Sequence, residues 1–158
     1  MKKRCSGVEI RRFLPGDIDQ ICDLEKRAFG IGAYSRSMIK KMFAAFGVID
    51  FLAVEGNHIL GYVCALPLDE SAADIESIAI DPSMHRSGLG TLLYNRVESE
   101  LLGKGYRVIV LEVRENNMQA INFYKKHGFK ATEFLQNYYK VSIDGTRNAY
   151  RMKKFLDL

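Results

Sequence analysis

The segment YRVIVLEV, residues 106–113, is almost wholly apolar over six positions, and it limits the possible folds more than any other stretch of the chain. A strand with one wet face alternates apolar and polar side chains, so a strand that does not alternate is covered on both faces. The chain therefore needs a sheet with a layer on each side, and its flanking segments supply helices. Gly88 to Gly103 carries Leu89, Leu92, Leu93, Val97, Leu101 and Leu102 on one side. Asn117 to His127 reads as a helix stopped by Gly128, with Lys125 and Lys126 suited to the negative end of its dipole.

The remaining elements follow from period and punctuation. VEIRRF (8–13) alternates as a half-buried first strand and ends at Pro15 and Gly16. Asp17 is placed to cap a helix with Gln20 three residues on, and Ile18, Ile21, Cys22, Leu24, Glu25 and Ala28 form its stripe. A second helix starts at Ser35 and turns Met38, Ile39, Met42 and Phe43 inward. Residues 50–68 read as a hairpin about Gly56-Asn57, and IESIAID (75–81) as a strand closed by Pro82. FKATEFL and AYRMKKF close the chain as antiparallel strands around a turn at Asp144-Gly145. The order β α α β β β α β α β β describes an α/β chain with a mixed, mostly antiparallel central sheet flanked by four helices, in a single domain over 1–158.

Composition narrows the function. Cys5, Cys22 and Cys64 are odd in number and share no CxxC or Cys/His spacing, and His58, His85 and His127 share no ligand spacing, so neither disulfides nor a metal are expected. The N-terminus is basic but lacks the ~7 to 15 apolar residues of a signal peptide, and no run approaches the ~18 of a membrane span. The expected compartment is the cytoplasm. A net charge of +4, scattered along the chain, suits an anionic small ligand better than a nucleic acid, which calls for a denser basic stripe.

The ligand is best seen in IDPSMHRSGLGTLL, where a strand ends at a proline, passes Gly88 and Gly90, and enters a long amphipathic helix. Such a turn presents backbone N–H groups and the positive end of a helix dipole to a phosphate. Arg86 adds a fixed positive charge, and the Thr91 hydroxyl can reach a phosphate oxygen or cap the helix. Two other phosphate motifs fail: no Gly-Lys-Ser/Thr exists for a P-loop, and Leu93 stands where a dinucleotide fingerprint needs its third glycine. Taken alone, Gly88 and Gly90 are equally compatible with a turn that only shapes a helix start.

Together these residues resemble the GNAT superfamily of acetyltransferases, whose pyrophosphate signature is Arg or Gln, two residues, Gly, any residue, then Gly or Ala. The frame here is His85-Arg86-Ser87-Gly88-Leu89-Gly90, in which His85 departs from the pattern. The stretch LEVRENNMQAINFYKKHGF, followed by NYY at 137–139 and AYRMKK, is similar to the ribosomal-protein-alanine and protein N-terminal acetyltransferases.

The resemblance implies acetyl-CoA as co-substrate and transfer to the N-terminal α-amine of proteins or peptides, ribosomal proteins among them. It implies cofactor contacts from the backbone of Ile78, Ala79 and Ile80, from Arg86, Ser87, Gly88, Leu89, Gly90 and Thr91, and from Asn117 and Tyr124. Glu112 is the implied base with Glu76 as its rival, and Tyr124 the group that protonates the departing sulfur. Phe29, Tyr34, Tyr138 and Tyr139 are candidates for the acceptor groove. From the residues alone, Glu112 reads first as a strand-end carboxylate paired with a cation such as Arg114, Tyr124 first as a core aromatic, and Phe29 also fits core packing. Transfer to a small amine or a lysine side chain remains open, as does a non-catalytic acyl-CoA-binding or ribosome-associated module.

Overall fold

Alternation along the inner strands sorts side chains to two faces, and two cores result. In β2 (Ile49–Glu55) and β3 (His58–Pro67), Phe51, Ala53, Val63 and Ala65 enter one core, and Leu52, Val54, Tyr62 and Cys64 the other. The first core is covered by α3 (Leu89–Gly103) and α4 (Met118–Lys126); Leu89, Leu93, Val97 and Leu101 of α3 recur every fourth residue and are fully buried. The second is covered by α1 (Ile18–Phe29) and α2 (Arg36–Ala44) through Ile21, Leu24, Ile39 and Phe43. This computed structural model describes residues 7–157, so Cys5 lies outside it.

The sheet runs β1 (Glu9–Arg11), β2, β3, β4 (Ala72–Ile80), β5 (Val108–Arg114), β7 (Ala149–Phe155), β6 (Lys130–Leu135), and the expected mixed order of elements is the one that forms. The non-alternating segment is β5, inside the sheet, with Ile109, Leu111 and Val113 in the first core and Val110 buried on the opposite face.

Three local expectations change. Asp17 does not cap α1: its carboxylate takes both Arg11 guanidinium nitrogens at 2.8 and 2.9 Å and the Leu14 N–H, a stronger set of donors than a helix end offers. Gln20 reaches across to Asn57 and Ile59 instead of closing a capping box. Met38 points outward, 50% exposed, because the buried arc of this short helix is filled by Ile39, Met42 and Phe43.

Among the described strands, β4 and β5 make the one parallel pair, and it is short, Ala72–Asp74 against Val108–Val110. Past it β4 stays with β3 as far as Ile80 and β5 stays with β7 as far as Arg114, so the sheet splits between them. The split is accompanied by a bulge: Cys64 faces Ser77 and Ala65 faces Ile75, leaving Glu76 as the extra residue on β4.

Candidate active site

On the α3–α4 face of the split, Asp81 turns the chain by accepting the Ser83 N–H at 2.9 Å. Arg86 (φ 62°) and Gly88 (φ 87°) then take left-handed backbone, a curl that aims successive N–H groups toward one concave side. Ser87 donates to the Met84 carbonyl at 2.5 Å and accepts the Leu89 N–H at 3.3 Å. The first helical bond of α3 shown to close back on the turn is Leu92 N–H to Gly88 O, so the N–H groups of the first turn lack intrahelical acceptors. The two glycines serve different ends. A Cβ on Gly88 would meet open space, so conformation demands that glycine; a Cβ on Gly90 would stand at contact distance, 3.4 Å, from the Phe123 ring on the cavity wall, so there the missing side chain leaves the backbone open to a ligand.

Over this turn lies a cavity of ≈ 650 Å³ walled by Ile78, Ile80, Arg86 through Thr91, Asn117, Phe123 and Tyr124. Its donors and the charges of Arg86 and Lys126 fit a pyrophosphate, and its aliphatic wall fits a slender acyl arm. Ala79 alternates to the other face and is buried in the second core, so any contact it makes here is through its backbone. Asn117 caps α4, accepting the Ala120 N–H at 3.2 Å, and Thr91 pairs with His127 at 3.3 Å. Between Asn117 and Tyr124, Ala120 and Phe123 stand on the cavity wall, and Ile121 packs into the first core.

On the α1–α2 face the carboxylates meet. Glu112 follows Val108 and Val110 along β5, and its Oε1 lies 3.4 Å from the Tyr138 hydroxyl and 4.0 Å from Arg151, its partner across β7. It does not pair with Arg114, which stacks over the Tyr139 ring at 4.0 Å. Asp74, on β4, is within hydrogen-bonding reach of Glu112 and Glu76; burial, then the charge of Glu112 and of Glu76, pushes its carboxyl up to about 8. Burial also raises Glu76. Glu112 Oε2 is buried without a hydrogen-bond partner among the described residues, and a protonated Asp74 is the donor that suits it. The Tyr34 hydroxyl donates to the Glu76 carbonyl at 3.3 Å, and Tyr34 feels Tyr138 and Tyr139 as well as Glu76.

Tyr124 joins the two sides. It lines the cavity, and burial, then Tyr139 and Asp74, raise its hydroxyl above the ordinary range and keep it protonated. Phe29, grouped in the sequence with the acceptor tyrosines, stands on the cavity wall beside Ala28. Asp74 and Glu25 escaped the sequence reading as site residues. A carboxylate between the apolar residues Ala73 and Ile75 was the signal for Asp74, as Leu111 and Val113 flank Glu112. Among the described residues no group of acidic, histidine and cysteine side chains could hold a metal ion, and no helix is long and apolar enough to cross a membrane.

A model of the acetyltransferase (GNAT) family matches residues 18–129. The ribosomal protein bS18-alanine N-acetyltransferase of Haemophilus influenzae is 38% identical over 104 residues, which is 65% of this chain and 69% of the relative. Ard1 from Thermoplasma volcanium superposes with a TM-score of 0.88 at 27% identity, covering 96% of this chain and 99% of that one. Arabidopsis thaliana Naa50, in complex with the bisubstrate analogue CoA-Ac-MVNAL, gives a TM-score of 0.79 at 25% identity over 94% of this chain and 98% of its own.

Proposed function

This chain belongs to the acetyltransferase (GNAT) family, and we propose that the amine it acetylates is the α-amine at the N-terminus of a protein. It is an acyltransferase that uses acetyl-CoA; the acceptor is what the proposal adds. The observation that carries it is the meeting of Tyr34 and Tyr138 with Glu76, Asp74 and Glu112 on the face opposite the cavity. Aromatic walls with hydroxyls suit an extended peptide end, and carboxylates suit its ammonium. The Haemophilus relative is named for the alanine of a ribosomal protein, and the Arabidopsis structure holds a bisubstrate analogue. Newly made ribosomal proteins in the cytoplasm are the partners this reading implies.

The chemistry favours the same acceptor. With reference pKa values near 8 for an α-amine and about 10.4 for lysine, the α-amine is easier to deprotonate by ~2.4 units, or ~3.3 kcal/mol. The co-substrate brings an acetyl thioester, and the chain's residues divide the work around it. The loop Arg86–Thr91 holds the pyrophosphate with Asn117 beside it, and the backbone of Ile78–Ile80 runs along the acyl arm and offers an N–H to the carbonyl oxygen. As the new C–N bond forms and the C–S bond breaks, Glu112 takes the amine proton, with Glu76 as the alternative acceptor, and the Tyr124 hydroxyl donates to the sulfur.

A panel of peptides with free and blocked N-termini, run beside small amines, tests the acceptor. Turnover of free peptides and silence of the blocked ones is the expected result. Blocked peptides carrying lysine that react as fast as free ones would refute it.

A further inference from the structure

One buried acid takes no part in that chemistry. Glu25, on α1, is 1% exposed, and its carboxyl is used at both oxygens. Oε1 accepts from the Tyr62 hydroxyl of β3 and, at 3.3 Å, from Ser77 of β4; Oε2 accepts the Tyr34 N–H at 3.1 Å. The Tyr62 and Ser77 hydroxyls lie 3.0 Å apart, so two hydroxyl protons are shared among the three contacts of this cluster. Its members come from α1, from the paired strands β3 and β4, and from the segment before α2, so one carboxyl ties the helix layer to the sheet.

Two of these partners bear on the acceptor side. Ser77 directly follows the bulge residue Glu76, and Tyr34 is held at both ends, its N–H on Glu25 and its hydroxyl on the Glu76 carbonyl. The segment leading to Tyr34 also meets the loop before β7, since a Cβ on Gly32 would lie 3.0 Å from the Ile143 side chain. A carboxylate is a poor choice for cohesion alone at such a place, because its desolvation offsets most of what its bonds contribute, whereas apolar residues of equal volume would hold the layers as well or better. What a carboxylate offers that they do not is two acceptors in fixed relative position.

We propose that Glu25 is the positioning residue of the acceptor mouth: its buried carboxyl sets where Tyr34 and the β4 bulge stand relative to Glu76. The inference rests on the reading above only in that the acceptor enters on this face. Glutamine at this position has one acceptor for two sites: either its NH₂ faces the Tyr34 N–H, which then loses its bond, or its NH₂ faces the Tyr62 and Ser77 hydroxyls, which must turn from donating to accepting. Burial holds the Glu25 carboxyl above its ordinary range and the three hydrogen bonds counter that, so the cluster depends on all of its donors.

Glu25→Gln should raise the KM for the acceptor by about tenfold, the loss of one such bond, while kcat and the Kd for acetyl-CoA stay within about twofold. The Tyr34 amide should exchange its hydrogen about tenfold faster in this variant, read by NMR without any acceptor. Tyr62→Phe, which keeps the ring and removes one donor, should change KM in the same direction and covers the case in which Glu25→Gln does not fold. An unchanged acceptor KM in the variant that folds, a Kd for acetyl-CoA that rises in step with KM, or unchanged Tyr34 exchange would each overturn the inference. If the wild-type enzyme acetylates no free-amine peptide, the α-amine reading fails, and the exchange measurement still decides the role of Glu25.

Discussion

The two carboxyl oxygens of Glu112 stand in different surroundings, Oε1 near Tyr138 and Arg151 and Oε2 buried without a hydrogen-bond partner among the described residues. Removing its basicity without changing its shape is the direct test of its role. Glu112→Gln should lower kcat by about 10²- to 10⁴-fold while the Kd for acetyl-CoA holds. Tyr124→Phe should fall similarly and be rescued by a thioester with a better leaving group, which should not rescue the Glu112 variant. If Glu76→Gln is the one that removes activity and Glu112→Gln keeps it, the base is Glu76. Asp74 supplies a test of a different kind. Its folded pKa of about 8 lies above the ordinary 3.8, so the folded state keeps a proton that the unfolded chain gives up across that window. Stability from this group is therefore present at acid pH and lost as pH rises toward about 8. Asp74→Asn should match the wild-type melting temperature near about pH 4 and exceed it by about 4 °C or more near about pH 9.

At the scale of elements, the turn into α3 is where strand, loop and helix meet, and it is the proposed seat of the pyrophosphate. Gly88 is held by its φ of 87°, whereas Gly90 stands on the cavity wall with room for a Cβ 3.4 Å from the Phe123 ring. Substitutions there separate conformation from access. Gly88→Ala should cost stability of about 1 to 2 kcal/mol, the strain of a left-handed residue, seen as a lower denaturation midpoint. Gly90→Glu brings bulk and a negative charge to the first turn and should raise the Kd for acetyl-CoA by about a hundredfold or more, measured by calorimetry, while the fold persists by circular dichroism. Unchanged binding in Gly90→Glu would move the pyrophosphate elsewhere.

For the whole molecule, the split between β4 and β5 separates the cavity on the α3–α4 face from the carboxylates on the α1–α2 face, and Tyr124, which lines the cavity and feels the charge of Asp74, links them. A ligand seated in the cavity touches α1, β4, α3 and α4, so its binding is linked to global unfolding. At about a hundred times its Kd, acetyl-CoA should stabilise the fold by about 2.7 kcal/mol and lift the melting temperature by about 5 to 10 °C. Free acetate, which lacks the pyrophosphate, should produce no such shift.

What the sequence determined by itself is the part of the protein written in local period and punctuation. The unbroken apolar run required β5 to be covered on both faces, the fourth-residue repeat from Leu89 to Leu101 required α3, and Gly88 and Gly90 marked the turn between strand and helix. Glu112 and Tyr124 were legible because each sits in a motif that continues for many residues around it. The contacts of Glu25, Asp74 and Arg151 were decided only by the tertiary structure. Glu25 meets Tyr62 at a separation of 37 residues, and Arg151 faces Glu112 through strand register alone. Asp17 shows the same limit in reverse, since its position suggested a cap while Arg11 offered a better partner. The physical reason is that period assigns a side chain to a face, whereas a buried polar group is satisfied by whichever donor the packing of distant elements brings within reach.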